Sequence, residues 1–199
     1  MRYSTIITAA LFLFSSGLAA PTTEARASDL EARACIGPDV NAATISLIKE
    51  FEGFVPRPAP DPIGLPTVGY GHLCKSKGCS EVPYPFPLTQ DTATSLLKSD
   101  LKEFQQTITL STKTLVVLNA NQYGALVSWS FNVGSAAAKS STLIQRLNAG
   151  QAPNTVISEE LPKWNKAGGQ VLPGLVRRRN AEVNLAKTPT NVKALPVGC

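Results

Sequence analysis

Apolar residues recur at helical spacing through much of the chain, with one interruption in its second quarter. Ile45, Leu47, Ile48 and Phe51 predict an amphipathic helix over residues 41–51, with Asn41 as N-cap and Gly53 as the stop. From Val55 to His72 the texture changes. Five prolines, three glycines and β-prone pieces such as Thr67-Val68-Gly69-Tyr70 predict a small, irregular antiparallel sheet. A Lys-, Gly- and Pro-rich loop follows over 73–87, and Thr89-Gln90-Asp91 reads as a capped helix start. Helical periodicity dominates thereafter. Ala93, Leu96, Leu97, Leu101 and Phe104 mark a helix over 90–107. Residues 119–133, with Leu126, Val127, Trp129 and Phe131, are apolar enough to predict a central, buried helix. Further helices are expected over 141–148, more weakly over 155–163, and over 175–187. This order implies an α+β architecture: a small antiparallel sheet lobe inserted after the first helix, a larger helical lobe, and a cleft between them as the default ligand site.

The N-terminus follows another pattern. Arg2, a nearly unbroken apolar run from Ile6 to Phe14, and Gly17-Leu18-Ala19-Ala20 read as a signal peptide over residues 1–19. Cleavage after Ala19 is expected, because cleavage one residue later would leave Pro21 next to the scissile bond. The run is too short to span a bilayer, so the chain is expected to be secreted and extracellular, without a membrane partner. Residues 20–33 are polar and lack aromatic side chains, which suggests a pro-segment or disordered arm ahead of a folded domain over 34–199. All four cysteines fall in that domain. An even count in an exported chain suggests two disulfides, and a local Cys74–Cys79 loop with a Cys35–Cys199 clasp is the favoured pairing. A clasp that long should restrict the unfolded chain by about 4–5 kcal/mol in the entropy model. Thiols so far apart, with one histidine in the chain, argue against a zinc site, and no metal or cofactor is expected.

The formal charge of +5 survives removal of residues 1–33, which takes away as many acidic as basic residues. It favours anionic partners without choosing among them. No arginine-rich arm, basic repeat or aromatic stacking platform supports a nucleic-acid partner. With no metal chemistry indicated, carboxylates are the natural catalysts. Glycoside hydrolysis needs two of them in different environments, one donating a proton to the leaving oxygen and the other activating water or attacking. Glu52 sits among Phe51, Gly53, Phe54 and Val55, an apolar setting of the kind that favours a protonated acid. Asp61 lies between Pro60 and Pro62 in the irregular stretch, and Thr67 opens the likely strand. By spacing alone, a solvated helix-end Glu and a turn-forming Asp are the better explanation of these residues.

The wider pattern is more specific. Glu52-Gly53, eight residues from Gly53 to Pro60, Asp61, five residues to Pro66, then Thr67-Val68-Gly69-Tyr70-Gly71-His72 resembles the Glu–x8–Asp–x5–Thr signature of the phage-type (T4-like) lysozymes, glycoside hydrolase family 24. Residues 119–134 are similar to that family's central helix, and Pro173-Gly-Leu-Val-Arg-Arg-Arg-Asn-Ala-Glu182 to its "GLxxRR…E" helix. The likeness covers residues 40–188, departs from the family at Pro60, where an aromatic residue usually precedes the catalytic Asp, and with its signal peptide and cysteines looks most like secreted fungal members.

The resemblance implies a lysozyme-like fold and hydrolysis of the β-1,4 bond between N-acetylmuramic acid and N-acetylglucosamine in bacterial peptidoglycan. Glu52 would be the general acid, Asp61 the general base, and Thr67 the residue that places water. Inversion is implied, with the two carboxyl groups roughly 6.5–9.5 Å apart. His72 and Asp100 would form a structural ion pair, while Leu73, Phe131 and Asn132 would line the saccharide cleft. One of Arg177, Arg178 and Arg179 would pair with Glu52, and at least two would form an exposed basic face, since consecutive helical residues point different ways. Trp129 is expected in the core and Trp164 at the cleft edge. The implied partner is the glycan strand, acted on by a monomer. A chitinase-like activity and a non-catalytic glycan-binding module are the competing readings, and a module has no reason to keep three residues at catalytic spacing.

Overall fold

Helix α1 (Ala42–Glu52) begins where the sequence indicated: the Asn41 side chain accepts from the Thr44 N–H at 3.0 Å and closes the first turn. The computed structural model describes residues 35–61 and 64–198. The expected signal peptide (1–19), the pro-segment (20–33) and Cys199 lie outside the described residues. Thr44, Ile45 and Ile48 are the buried face of α1, and Gly53, at φ 72°, turns the chain out of the helix.

Strands β1 (Val55–Pro60), β2 (Pro66–Gly69) and β3 (His72–Leu73) form an antiparallel sheet in that order. Pro56, Pro58 and Pro60 all fall on β1, an edge strand, where their missing N–H groups leave no ladder bond unmade. Ala59 pairs with Thr67 and Thr67 with Leu73. Beyond β3, a disulfide joins Cys74 to Cys79 with Cα atoms 4.8 Å apart. Cys35 is buried and disulfide-bonded.

Helix α2 (Gln90–Ser111) starts at a Thr89/Thr92 capping box and runs four residues past its expected end. Thr107, Ile108 and Thr109 are β-branched and poor helix formers, but all three are buried, and packing outweighs the propensity. Helix α3 (Ala120–Val133) is buried without a break from Tyr123 to Ser130, as its composition predicted. It packs against α1, α2 and the final helix. A Cβ on Gly124 would stand 1.9 Å from Thr44 Oγ1, so this glycine lets α1 and α3 approach.

Helix α4 (Ser135–Ser140) was not expected; its Ser-Ala-Ala-Ala-Lys-Ser carries no apolar period to reveal it. Helices α5 (Thr142–Asn148) and α6 (Pro153–Glu160) match expectation, and a 3₁₀ turn continues α6 to Lys163. A short hairpin, β5 (Lys166–Ala167) and β6 (Gln170–Val171), turns through Gly168 and Gly169, both at positive φ. Helix α7 (Pro173–Lys187) opens with proline in its first turn. Strand β7 (Lys193–Leu195) pairs with β4 (Leu118–Asn119) and ties the chain's end to the start of α3. The architecture is α+β, a small sheet lobe set after the first helix beside a larger helical lobe.

Candidate active site

Glu52 is the last residue of α1, and its carboxylate faces the cleft between the lobes. The expected apolar setting needs correction. Arg178 Nη1 lies 2.6 Å from Glu52 Oε1, and the side chains are 5% and 20% exposed, so the carboxyl is held by a buried cation. Gly71, at φ 83°, brings its backbone so close that a Cβ there would lie 3.0 Å from Glu52 Oε2.

Arg178 belongs to a larger buried cluster. Its Nε donates to Glu182 Oε1 at 3.3 Å, one helical turn on, and its Nη2 to the Ser128 carbonyl at 3.4 Å. Arg179 is fully buried, pairs with Glu182 at 2.8 Å, and donates to Asn132 Oδ1 at 2.9 Å. Ser128 Oγ donates to Glu182 at 2.8 Å. Burial pushes the Glu182 carboxyl up, against the pull of Arg179 and Arg178, and burial pushes the Arg179 guanidinium down. The cluster fixes Glu52 on one side and Asn132 on the other.

Asp61 closes the turn between β1 and β2. Its N–H donates to the Leu65 carbonyl at 2.7 Å and its Oδ1 accepts from the Leu65 N–H at 2.8 Å, so the carboxylate is oriented as well as half-exposed. Thr67, opposite Ala59, donates from Oγ1 to the Ala59 carbonyl at 3.4 Å. Ala59, Thr67 and Leu73 share one face of the sheet, and Asp61 stands just past the end of β1, its carboxylate turned to the Leu65 N–H. Neither Asp61 nor Thr67 is among the residues that line the enclosed part of the cleft.

That enclosed part holds about 620 Å³ and is lined by Glu52, His72, Leu73, Asp100, Phe131 and Asn132, among others. Phe131 is half-buried and packs edge-on against Phe104, with centroids 5.2 Å apart. His72 Nδ1 meets the Asp100 carboxylate at 3.0 Å, the pairing expected from the sequence. Burial raises the Asp100 carboxyl and His72 pulls it back. A third member was missed: Glu81 Oε1 lies 3.3 Å from His72 Nε2. Another hollow, of about 190 Å³ between α2 and β7, contains no carboxylate.

Residues 49–182 match the family model described as Phage lysozyme. The chain belongs to the phage lysozyme family. It is 38% identical over 152 residues to an endolysin of Bacillus phage B103, covering 75% of this chain and 54% of that protein. Over 140 residues it is 38% identical to an endolysin of Acyrthosiphon pisum secondary endosymbiont phage 1, covering 68% of this chain and 89% of that one. The chain thus spans little more than half the length of the Bacillus phage endolysins it matches. Among solved structures, it is similar to the muramidase domain of SpmX from Asticaccaulis excentricus, with a TM-score of 0.62 at 32% identity, covering 75% of this chain and 98% of that one. A P22 lysozyme variant gives a TM-score of 0.61 at 33% identity, again covering 75% and 98%. These relatives lend no support to a particular likeness to fungal members.

Two expectations for this phage lysozyme family chain are corrected. Arg178 and Arg179 are both buried, and Arg177 alone of the three is exposed, over the Phe51 ring at 5.1 Å. The Arg-to-Glu182 spacings of three and four residues on one helix were the available signal. Trp164 is absent from the cleft lining and packs edge-on against Trp129 in the core at 5.3 Å. Cys74 and Cys79 lie close to Glu81, but their sulfurs are bonded to each other and offer no thiolate to a metal.

Proposed function

We propose that this chain is a muramidase that hydrolyses the β-1,4 bond between N-acetylmuramic acid and N-acetylglucosamine in bacterial peptidoglycan. One observation carries the reading: a carboxylate, Glu52, held at 2.6 Å by a buried arginine on the wall of an inter-lobe cleft, in a phage lysozyme family chain. Glu52 is the general acid that protonates the leaving glycosidic oxygen. Asp61 is the base that takes a proton from water, and Thr67, on the next strand, places that water. Attack comes from the face opposite the leaving group, so the anomeric centre inverts. Leu73, Phe131 and Asn132 contact the sugar rings, and His72 with Asp100 stiffens the cleft floor.

Residues 1–19 direct export and residues 20–33 are a pro-segment or arm, so that residues 34–199 work outside the cell as an antibacterial monomer. The Cys35–Cys199 clasp then closes the domain. No helix among the described residues is long and apolar enough to cross a membrane.

Product analysis tests the chemistry. Proton NMR of fresh digests should show the α-anomer first, and Asp61→Asn should lower kcat about 10²–10⁴-fold while leaving folding intact. A β-anomer as first product would overturn the water-activation role of Asp61.

A further inference from the structure

Glu81 lies in none of the family motifs, yet it organises the cleft's edge. Its carboxylate accepts from the Lys75 N–H at 2.6 Å, from the Ser76 hydroxyl, and meets His72 Nε2 at 3.3 Å. Ser76 also shares a hydrogen bond with Ser80 at 2.8 Å, and the Cys74–Cys79 disulfide closes the same segment. Residues 74–81 are thereby stapled to His72, whose other nitrogen is anchored to Asp100 of α2 at 3.0 Å. Ser76 and the Lys75 N–H hold the Glu81 carboxyl down at about 2, so the clasp is charged across the neutral and mildly acidic range.

The staple sets the position of Lys75. Lys75 lines the cleft beside Leu73, while Asp100 and Glu103 of α2 line the same space. Its ammonium acts on the cleft floor: burial pushes Asp100 up, and His72 and then Lys75 draw it back. Lys75 is the fixed cation in a lining otherwise made of carboxylates, aromatic rings and neutral groups, His72 aside. Peptidoglycan carries on alternate sugars a lactyl ether whose amide-linked peptide stem bears carboxylates (the lactyl group itself is the carboxylate where no stem is attached), whereas a polymer of N-acetylglucosamine is neutral. An ammonium on a free loop loses most of its attraction to solvent screening and to the entropy of ordering the chain. A backbone already fixed by the Lys75 N–H bond removes the loop's share of the second loss and leaves that of the exposed side chain.

We propose that Lys75 recognises the anionic substituent of the muramyl sugar, and that Glu81 is the positioning residue that presents it; this rests on the muramidase reading of the cleft. The test measures affinity in a Glu52→Gln background, so that it does not depend on turnover. Soluble peptidoglycan strands and a neutral N-acetylglucosamine oligosaccharide are titrated against the parent, Lys75→Gln, Glu81→Ala and Glu81→Gln. Lys75→Gln should weaken strand binding about three- to tenfold and the neutral ligand less than twofold. Glu81→Ala should give the same selective loss with Lys75 intact, and Glu81→Gln, which keeps an acceptor for the Lys75 N–H, should recover part of it. Parallel losses on both ligands, or no loss on either, would overturn the proposal. Thermal unfolding of Glu81→Ala separates repositioning from collapse: a selective loss with the melting transition retained supports positioning, and equal losses on both ligands with a broadened transition refute it. A wild type that binds strands selectively through Lys75 but never cleaves them would sink the muramidase reading alone.

Discussion

Replacing Glu182 by Gln probes the buried charge cluster that holds both Glu52 and Asn132. The side chain is fully buried and serves two guanidiniums, Arg179 at 2.8 Å and Arg178 at 3.3 Å, and accepts from Ser128 at 2.8 Å. Gln preserves the shape and the Ser128 bond. It removes the counter-charge of Arg179, which has no exposure, and leaves that cation with the neutral Asn132 as a named partner. Removing one partner of a buried pair costs about 3–5 kcal/mol, because the remaining ion stays desolvated. For a domain of this size that is a fall in Tm of about 6–20 °C. The loss is large but lies within the ~5–15 kcal/mol stability of ordinary domains, so the variant should still fold in the cold. Urea unfolding followed by circular dichroism gives the free energy directly. A loss under about 1 kcal/mol would refute the reasoning, since it would mean that Arg179 is solvated or finds another anion at no cost.

Gly124→Ala sets helix propensity, which favours alanine by about 1 kcal/mol, against a Cβ placed 1.9 Å from Thr44 Oγ1. Overpacking of a close helix contact costs about 1–3 kcal/mol or more, so chemical denaturation should show net destabilisation, and a stabilised variant would contradict the contact. The Glu81 clasp has a defined pH signature. Its carboxyl falls from 4.5 to about 2 on folding, so its stabilisation is present above pH 4.5 and is lost as pH falls towards about 2. The protection of the Lys75 amide, its exchange rate divided into the intrinsic rate at each pH, should fall over that window, and constant protection would contradict the assignment.

The parts of this molecule that were legible in its sequence are those decided by neighbours along the chain. Asn41 and Thr44 are three residues apart, and the cap they form is as expected. The prolines after Val55 announced a small irregular sheet, and β1 is its edge strand with an irregular ladder. The resemblance brought Glu52, Asp61 and Thr67 forward; Glu52 lines the cleft, Thr67 lies on β2, and Asp61 stands at the turn before it. What remained hidden depends on distant partners. One of Arg177, Arg178 and Arg179 was expected on Glu52, and Arg178 is that one. At least two read as a basic surface because Ser128 and Asn132, which receive Arg178 and Arg179, lie 50 and 47 residues away. Glu81 reaches His72 across a disulfide-closed loop, and no apolar period signals such a contact. The β4–β7 ladder has the same cause: it joins Leu118 to Leu195 through a segment too short to show alternation.

The central claim is catalysis by Glu52 on peptidoglycan. Its most direct test is the loss of turbidity of a Gram-positive cell-wall suspension with the wild type beside a folded Glu52→Gln variant. Lysis by the wild type and none by the variant is the expected result; equal lysis by both would contradict the assignment of Glu52, and no lysis by a folded wild type would contradict the muramidase reading itself.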